Sequence, residues 1–215
     1  MDRVRLLCFD LDNTLYKRET RLLSEIHKRI VEYVKCKMSV EDNEAIALIM
    51  KWKRKYHSTL QGLIQEVHID EYDYLEYIHN LRLCDYLYRD NELKEVLNLV
   101  QEKKIIITDS YGVYANRVIE ELGLSHCFDG IYATENMDFF YKCHTGCLKK
   151  VILRACREVC EQMIRFNEIV LIDDDYNSLY AAKTLGLITA YISQKSESVF
   201  DYNANNVVEL LQKYY

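Results

Sequence analysis

The chain has 215 residues, of which none is proline and only six are glycine. These two residue types most often mark where helices and strands end. Glycine and clusters of polar residues must therefore mark most of the boundaries here, and element ends are harder to predict than element types.

Long apolar runs are also missing. No segment has enough consecutive apolar residues to cross a bilayer, and the first residues lack the pattern of a secretory leader. The eight cysteines do not have the spacing of a compact disulfide framework, and a reducing compartment suits them. We therefore expect a cytoplasmic protein with no membrane partner.

The chain has no excess of basic residues. Lys and Arg number 28 against 34 Asp and Glu, which gives a formal net charge of −6. We therefore expect no nucleic-acid partner, because the general positive field that such binding uses is absent. A small phosphorylated ligand still fits, since a metal ion or a few lysines reverse the local field.

One cluster of cysteine and histidine residues requires a choice between two interpretations. It consists of Cys143, His144, Cys147, Cys156 and Cys160. These residue types can hold zinc. However, Cys156 and Cys160 lie four residues apart in a predicted helix, and the paired short spacings of a zinc site are missing. The pattern favours packing over a structural zinc.

The pattern along the chain changes character twice. Residues 4–9 read as a buried strand, residues 19–88 show only helical periodicity, and strands alternate with helices from residue 104 onward. Such alternation predicts an α/β fold with a parallel sheet covered by helices on both faces. The all-helical block predicts a cap or lid on this core.

Within the helical block, "SVED" at 39–42 predicts a capping box that opens a helix running to about Tyr56. "DEYD" at 70–73 predicts the start of another helix. In the later part, Gly123 and Gly186 are the expected residues just beyond the ends of two helices.

Polar residues follow the predicted strands at the point where each strand ends. In "CFDLDNTLYK" (8–17), Asp10 and Asp12 close the first strand. A purely structural interpretation is that the two aspartates are turn or capping residues. Thr108 follows "KIII", and Asp173–Asp175 follow "EIVLI". The carboxyl ends of parallel strands form the usual ligand crevice, so these side chains are expected to meet there.

Together with Lys142, which precedes a predicted helix, these residues suggest phosphoryl transfer. Separated acidic groups can hold Mg²⁺, which prefers oxygen ligands. A lysine and a threonine hydroxyl suit phosphate oxygens, while one carboxylate can act as nucleophile and another as acid and base.

Four ordered segments carry a resemblance to a known family. "FDLDNTLY", "IIITDS", "YKCHTG" and "VLIDDDYNSLYAAKTLG" resemble the four motifs of the haloacid dehalogenase-like (HAD) phosphohydrolase superfamily. "KYHSTLQGLIQEVHID" (55–70) and "LGLSHCFDGIY" (122–132) are similar to the pyrimidine 5′-nucleotidase branch with a helical C1-type cap. The resemblance implies a Rossmann-like core of residues 1–16 and 91–215, and an inserted cap of residues 17–90.

The resemblance also implies roles for four residues. Asp10 would attack phosphorus and form an aspartyl-phosphate, and Asp12 would protonate the leaving oxygen and later activate water. Thr108 would hydrogen-bond the phosphoryl group, and Lys142 would neutralise charge on it and on Asp10. An acid at position 12 favours phosphate esters, since haloacid dehalogenases do without one there.

The implied cofactor is Mg²⁺, held by the Asp10 carboxylate, the Asp12 main-chain carbonyl and Asp174, with help from Asp173. The substrate-binding residues are expected to be Asp109, Ser110 and His57. Three positions depart from the branch, which more often has Asn at 109, Pro at 143 and Gly at 57.

The expected partner is a small phosphorylated metabolite, a nucleoside 5′-monophosphate first of all, bound by a monomer or homodimer. Alternatives are another phosphate ester, such as a sugar phosphate, a vitamin precursor or a lysophospholipid, or a non-catalytic HAD-like binding module. A receiver domain is rejected, because its acidic pair precedes the phosphorylated aspartate and it lacks a helical insert of this length.

Overall fold

The computed structural model describes residues 4–160 and 164–214. Its strands are all parallel and form one six-stranded sheet in the order β3-β2-β1-β4-β5-β6. The strands are β1 (Leu6–Phe9), β2 (Lys103–Ile107), β3 (Gly130–Tyr132), β4 (Ile169–Asp173), β5 (Ile188–Ile192) and β6 (Tyr202–Ala204). The predicted α/β fold class with a Rossmann-like parallel sheet is confirmed.

The described residues also form nine α-helices, joined in places by short 3₁₀ turns. They are α1 (Leu22–Met38), α2 (Asp42–Tyr56), α3 (Thr59–Val67), α4 (Glu71–His79), α5 (Asn91–Leu99), α6 (Gly112–Glu121), α7 (Thr145–Val159), α8 (Tyr176–Thr184) and α9 (Val207–Tyr214). None of them combines the length and the apolar character that a membrane-spanning helix needs.

Strand β1 lies at the centre of the sheet and is completely buried. Its side chains alternate between the two faces: Leu7 and Phe9 join one apolar cluster, and Leu6 and Cys8 join the other. Burial on both faces explains why the strand is a continuous apolar run with no polar positions.

Helices α1–α4 follow β1 and pack mainly on one another. Trp52 of α2 is completely buried against α3, where Gly62 lies directly beneath the indole ring. Tyr33 of α1 packs edge-on against Tyr74 of α4, with ring centroids 5.0 Å apart. Aromatic side chains therefore make much of the contact between these helices.

Most of the predicted helix ends are confirmed. Gly123 and Gly186 have φ values of 76° and 84°, in the left-handed region that glycine adopts freely, just after α6 and α8. The Asp70 carboxylate accepts hydrogen bonds from the backbone N–H groups of Tyr72 and Asp73 and caps α4.

The predicted capping box at 39–42 is wrong. Ser39 has φ 53° and ends α1 in the left-handed conformation, so its side chain is not available to cap α2. Helix α2 instead begins at Asp42 after Glu41, and Glu41 makes no side-chain capping bond. The sequence has the residues of a capping box, but Ser39 ends α1 and therefore cannot also begin α2.

Candidate active site

Three neighbouring strands bring the predicted polar residues to one edge of the sheet. Asp10 follows β1, Thr108 follows β2, and Asp173 is the last residue of β4. Strand β1 pairs with both β2 and β4, so these three residues lie side by side. All three are buried, although Asp and Thr side chains are usually exposed.

Lys142 connects two of the acidic residues. Its ammonium group donates a hydrogen bond to Asp10 Oδ1 and another to Asp173 Oδ2, the latter at 2.8 Å. The lysine is 2% exposed, and the two aspartates are 6% and 1% exposed. A buried ammonium shared by two buried carboxylates is costly to desolvate, which makes it a candidate functional site.

The electrostatics of this group follow from its charge count, since one ammonium cannot neutralise two carboxylates. Burial raises the pKa of Asp10 to about 7, although Lys142 opposes the shift. Burial likewise raises the pKa of Asp173 to about 8. Burial alone lowers the pKa of Lys142, but the carboxylates beside it more than offset this and raise it above its usual value.

The acidic residues also provide a set of converging metal ligands. Asp10, Asp173 and Asp174 offer carboxylate oxygens that lie within 4.8 Å of one another. All three are hard oxygen donors, and together they carry more negative charge than the single positive charge of Lys142 can balance. The set therefore fits a hard divalent cation such as Mg²⁺. Asp174 Oδ2 also accepts hydrogen bonds from Arg18 (2.5 Å) and Asn13 (3.3 Å).

No second group of three or more His, Cys, Asp or Glu side chains converges in the part of the chain that the structure describes. The cysteines at 143, 147, 156 and 160 are half-buried and free, and they do not gather around a common point.

Asp12 is surrounded by hydroxyl groups. Its Oδ1 atom accepts hydrogen bonds from the hydroxyls of Tyr16 (2.5 Å) and Tyr114 (2.9 Å). Its Oδ2 atom accepts a hydrogen bond from Ser110 Oγ at 2.5 Å. Burial raises the pKa of both tyrosines well above the ordinary value, so both hydroxyls stay protonated and can donate.

The residues after β2 hold the surrounding loops together. Thr108 Oγ1 accepts a hydrogen bond from the Ser110 backbone N–H at 3.0 Å. The Asp109 carboxylate accepts one from the Lys142 backbone N–H at 2.8 Å, and burial raises its pKa to about 6. In this structure Asp109 therefore contacts the loop that carries Lys142, called the lysine loop below, and Ser110 contacts Asp12.

His57 lies at the end of α2, in the left-handed conformation with φ 61°. Its ring packs edge-on against that of His144, with centroids 5.4 Å apart. Both line a cavity of about 750 Å³ together with Asp109, Tyr141 and Asp175. The last three residues adjoin Thr108, Lys142 and Asp174 in the chain, so this cavity is next to the acidic cluster.

The sequence analysis missed four residues that contact the site. Asn13 and Arg18 contact Asp174, and Tyr16 and Tyr114 contact Asp12. Asn13 has φ 61°, a conformation that asparagine tolerates, and the loop turns there so that its amide reaches Asp174. The signal for Tyr16 was its place four residues after Asp12 in the first motif. Tyr114, by contrast, looks like an ordinary buried helix residue.

Comparison with known proteins identifies the family. The chain matches the model of the haloacid dehalogenase-like hydrolases over residues 4–186, and it belongs to this family. The segments "FDLDNTLY", "IIITDS", "YKCHTG" and "VLIDDDYNSLYAAKTLG" all lie within the matched region. The chain is therefore a HAD-family hydrolase.

Similar proteins include one relative from yeast and two solved bacterial structures. Phosphate metabolism protein 8 of Saccharomyces cerevisiae is 33% identical over 138 residues, and the match covers 59% of this chain. It covers 42% of the yeast protein, so the chain spans about two fifths of that relative's length.

The structures share the fold at low identity. A haloacid dehalogenase-like family hydrolase from Streptococcus pneumoniae gives a TM-score of 0.66 with 17% identity and full coverage of both chains (100% each). The HAD-hydrolase YfnB from Bacillus subtilis bound to magnesium gives a TM-score of 0.63 with 15% identity over 98% of each chain. At such identities the likeness is one of fold alone.

Proposed function

We propose that this HAD-family hydrolase is a Mg²⁺-dependent phosphomonoesterase that works through an aspartyl-phosphate. The observation that carries the proposal is the buried Lys142 between Asp10 and Asp173, with Asp174 close by, at the carboxyl ends of β1 and β4. A buried cation beside a carboxylate nucleophile would offset the negative charge of a phosphoryl group during its transfer.

In the proposed first step, an Asp10 carboxylate oxygen attacks phosphorus as the bond to the leaving oxygen breaks. Asp12 gives that oxygen a proton, and Lys142 offsets the negative charge on the phosphoryl group. Thr108 donates its hydroxyl hydrogen to a phosphoryl oxygen. In the second step Asp12 takes a proton from water, whose oxygen attacks phosphorus and releases phosphate from Asp10.

Asp10, Asp173 and Asp174 would hold Mg²⁺ through carboxylate oxygens, and Asp12 through its main-chain carbonyl. When bound, the ion would neutralise charge on the phosphoryl group and orient it. The fit is one of donor type and charge: three carboxylates converge, and among the described residues a single buried ammonium, that of Lys142, pairs with them.

A phosphate ester is favoured over a haloacid because position 12 carries an acid. An alkoxide is a poor leaving group and needs a proton, which Asp12 can supply. Displacement of a halide needs none, and the resemblance implies that dehalogenases lack an acid at this position.

The proposed substrates are nucleoside 5′-monophosphates, pyrimidine nucleotides first. The support is the cavity of about 750 Å³ beside the acidic cluster, since a nucleoside would fit in it and several aromatic rings line it. His57, which we assign to substrate binding, and His144 are among the lining residues. The cap segment 55–70, which resembles the pyrimidine 5′-nucleotidase branch, supports the same substrate class.

We assign residues 17–90 to a C1-type cap and residues 1–16 and 91–215 to the core. Two contacts support a seam between these parts beside the site: Gln61 Nε2 donates to the Phe139 carbonyl at 3.0 Å, and His57 packs on His144. We further assign Asp109 and Ser110 to indirect roles in substrate binding, through the lysine loop and Asp12.

The proposal is tested by measuring phosphate release from UMP, CMP, AMP, GMP and an aryl phosphate, each with Mg²⁺ and with EDTA. We expect Mg²⁺-dependent turnover of UMP and CMP well above that of the purine nucleotides, and its loss by several orders of magnitude in Asp10→Asn.

Other outcomes separate the parts of the proposal. Turnover of the aryl phosphate alone would keep the phosphatase and remove the nucleotidase. Turnover that persists in EDTA would remove the magnesium requirement. Absence of turnover on every substrate would contradict the phosphatase and favour a binding module.

A further inference from the structure

Two buried tyrosines meet at the carboxylate of Asp12. Tyr16 is 6% exposed and lies in the loop after β1, whereas Tyr114 is 1% exposed and belongs to α6. Their hydroxyls donate to the same atom, Oδ1 of Asp12, at 2.5 and 2.9 Å. Residues about a hundred positions apart in the chain therefore converge on one oxygen.

These hydrogen bonds nearly saturate the carboxylate. A carboxylate has about four positions at which it accepts hydrogen bonds, two on each oxygen. The tyrosines occupy both positions on Oδ1, and Ser110 Oγ occupies one on Oδ2. One position remains, on Oδ2, and a proton carried by Asp12 must sit there.

Packing from the helical block holds Tyr114 in place. Its ring stacks on that of His79, the last residue of α4, with centroids 4.4 Å apart and 29° between the ring planes. His79 is itself fixed, because its Nδ1 atom lies 2.9 Å from the Leu75 carbonyl oxygen. Arg117 of α6 donates to the His79 carbonyl at 3.1 Å. The Tyr114 hydroxyl is thus aimed by contacts on the ring as well as by Asp12.

We propose that Tyr16 and Tyr114 are positioning residues for proton transfer by Asp12. They fix the plane of its carboxyl group and block Oδ1, so that protons enter and leave through the one remaining position on Oδ2. Neither tyrosine has to touch the substrate. The inference depends on the phosphomonoesterase function proposed above. It adds two positioning residues to that function and names the Asp12 oxygen that carries the proton.

The proton balance is as follows. The hydrogen on Oδ2 passes to the leaving oxygen while its bond to phosphorus breaks and the Asp10–phosphorus bond forms, which leaves Asp12 as a carboxylate. A water proton then moves to Oδ2 while the water oxygen bonds to phosphorus and the Asp10–phosphorus bond breaks. Asp12 is again protonated, and phosphate is released.

The test compares two leaving groups in Tyr16→Phe and Tyr114→Phe. An alkyl phosphate such as UMP needs the proton from Asp12, whereas p-nitrophenyl phosphate releases a stable phenolate and needs it little. The quantity measured is kcat/KM, which reports the steps up to departure of the leaving group. We expect each variant to lose about tenfold with UMP and less than about twofold with p-nitrophenyl phosphate.

Tyr132→Phe is the matched control. Tyr132 is also buried and its hydroxyl donates to a carboxylate, that of Glu158 at 2.9 Å, but it does not contact Asp12. We expect this variant to keep both activities. In an Asp12→Asn background, Tyr16→Phe should cause no further loss with UMP, because there is no longer a proton to position. Melting temperatures show whether each variant is folded.

The outcomes separate the inference from the function. A wild-type protein that releases phosphate from neither compound overturns the proposed function, and the inference with it. An active wild type whose tyrosine variants lose both activities equally, or lose neither, overturns the inference alone. Additive losses of Tyr16→Phe and Asp12→Asn with UMP would also overturn it.

Discussion

At the scale of single residues, the most consequential side chain is Lys142. It is the only group with a positive charge, among the described residues, that the structure places between Asp10 and Asp173. Removing one partner of a buried ion pair costs far more than the pair contributes, because the remaining charge stays buried. The lysine therefore supports the fold of the site, in addition to the chemical role that we propose for it.

Lys142→Met should expose this cost directly. We expect the free energy of unfolding in EDTA at pH 8 to fall by about 3–5 kcal/mol, because two buried carboxylates lose their counter-charge. Urea denaturation followed by circular dichroism measures it. The control is Lys150→Met, which breaks an exposed pair with Asp138 and should change the value by less than about 1 kcal/mol. Equal losses in the two variants would contradict this account.

Arg18 affects the proposed metal site. It donates to Asp174 Oδ2, and its side chain is 68% exposed. A cation bound by Asp174 would meet both the guanidinium charge and competition for this oxygen. We expect Arg18→Gln to bind Mg²⁺ about twofold to fivefold more tightly, measured by isothermal titration calorimetry.

The control for this titration is Arg82→Gln, whose partner Asp85 lies outside the acidic cluster. Its affinity for Mg²⁺ should equal that of the wild type. Weaker binding in Arg18→Gln would mean that Arg18 helps to hold the site in its binding geometry, contrary to our expectation.

At the scale of elements, strand ends were predictable and their contacts were not. Apolar runs that end in Asp10, Thr108 and Asp173 place these residues at one edge of a parallel sheet, whatever the details of packing. The contacts of Tyr114 and Arg18 depend on how α6 and the loop after β1 lie on the sheet. Such contacts join residues far apart in the chain, and the spacing of apolar residues along the sequence does not predict them.

The failure of the predicted capping box has a similar cause. The letters "SVED" satisfy the rule for a helix start, but Ser39 is already used to end α1 in the left-handed conformation. Two adjacent helix boundaries compete for the same residues, and the tight connection decides between them. A rule applied to one helix at a time misses this.

The packing of α2 on α3 gives a test at this scale. A Cβ atom on Gly62 would lie 2.1 Å from Cγ of Trp52, so Gly62→Ala must push the helices apart or move the indole. We expect a loss of about 1–3 kcal/mol in the free energy of unfolding, measured in urea.

Gly146→Ala is the matched control, because a Cβ atom on Gly146 in α7 meets nothing within 4 Å. Alanine suits a helix better than glycine, so we expect no loss and a gain of up to about 1 kcal/mol. Unchanged stability in Gly62→Ala would mean that the α2–α3 contact is looser than the structure shows.

At the scale of the whole molecule, the buried acids connect stability to pH. The pKa of Asp10 is raised to about 7 and that of Asp173 to about 8, from 3.8. The folded protein therefore keeps protons that the unfolded chain has already released, and its stability falls as pH rises from about 4 to about 8. His79 acts in the opposite sense: burial lowers its pKa from 6.5 to about 4, so its contribution is lost as pH falls through that range.

Above pH 6.5 the contribution of His79 is nearly complete, so the two buried acids dominate the dependence of stability on pH. Between pH 6.5 and 8 we expect the free energy of unfolding in EDTA to fall by about 2 kcal/mol, from the protons held at Asp10 and Asp173. Asp173→Asn should reduce this decline, and excess Mg²⁺ should remove it if the ion is held by the ionised carboxylates as we propose. Stability in EDTA that rises over this range would contradict the assignment.

The central claim is that Asp10 carries the phosphoryl group. The most direct test is the mass of the intact protein after it reacts with p-nitrophenyl phosphate and Mg²⁺ and is quenched with acid. Asp12→Asn slows loss of the intermediate, and this ester still forms it because its leaving group needs little help from an acid. We predict the added mass of one phosphoryl group, located at Asp10 by peptide mapping and absent when Asp10 is also replaced by Asn. Wild-type phosphate release from p-nitrophenyl phosphate without this added mass in Asp12→Asn, or with the group on another residue, would contradict the claim.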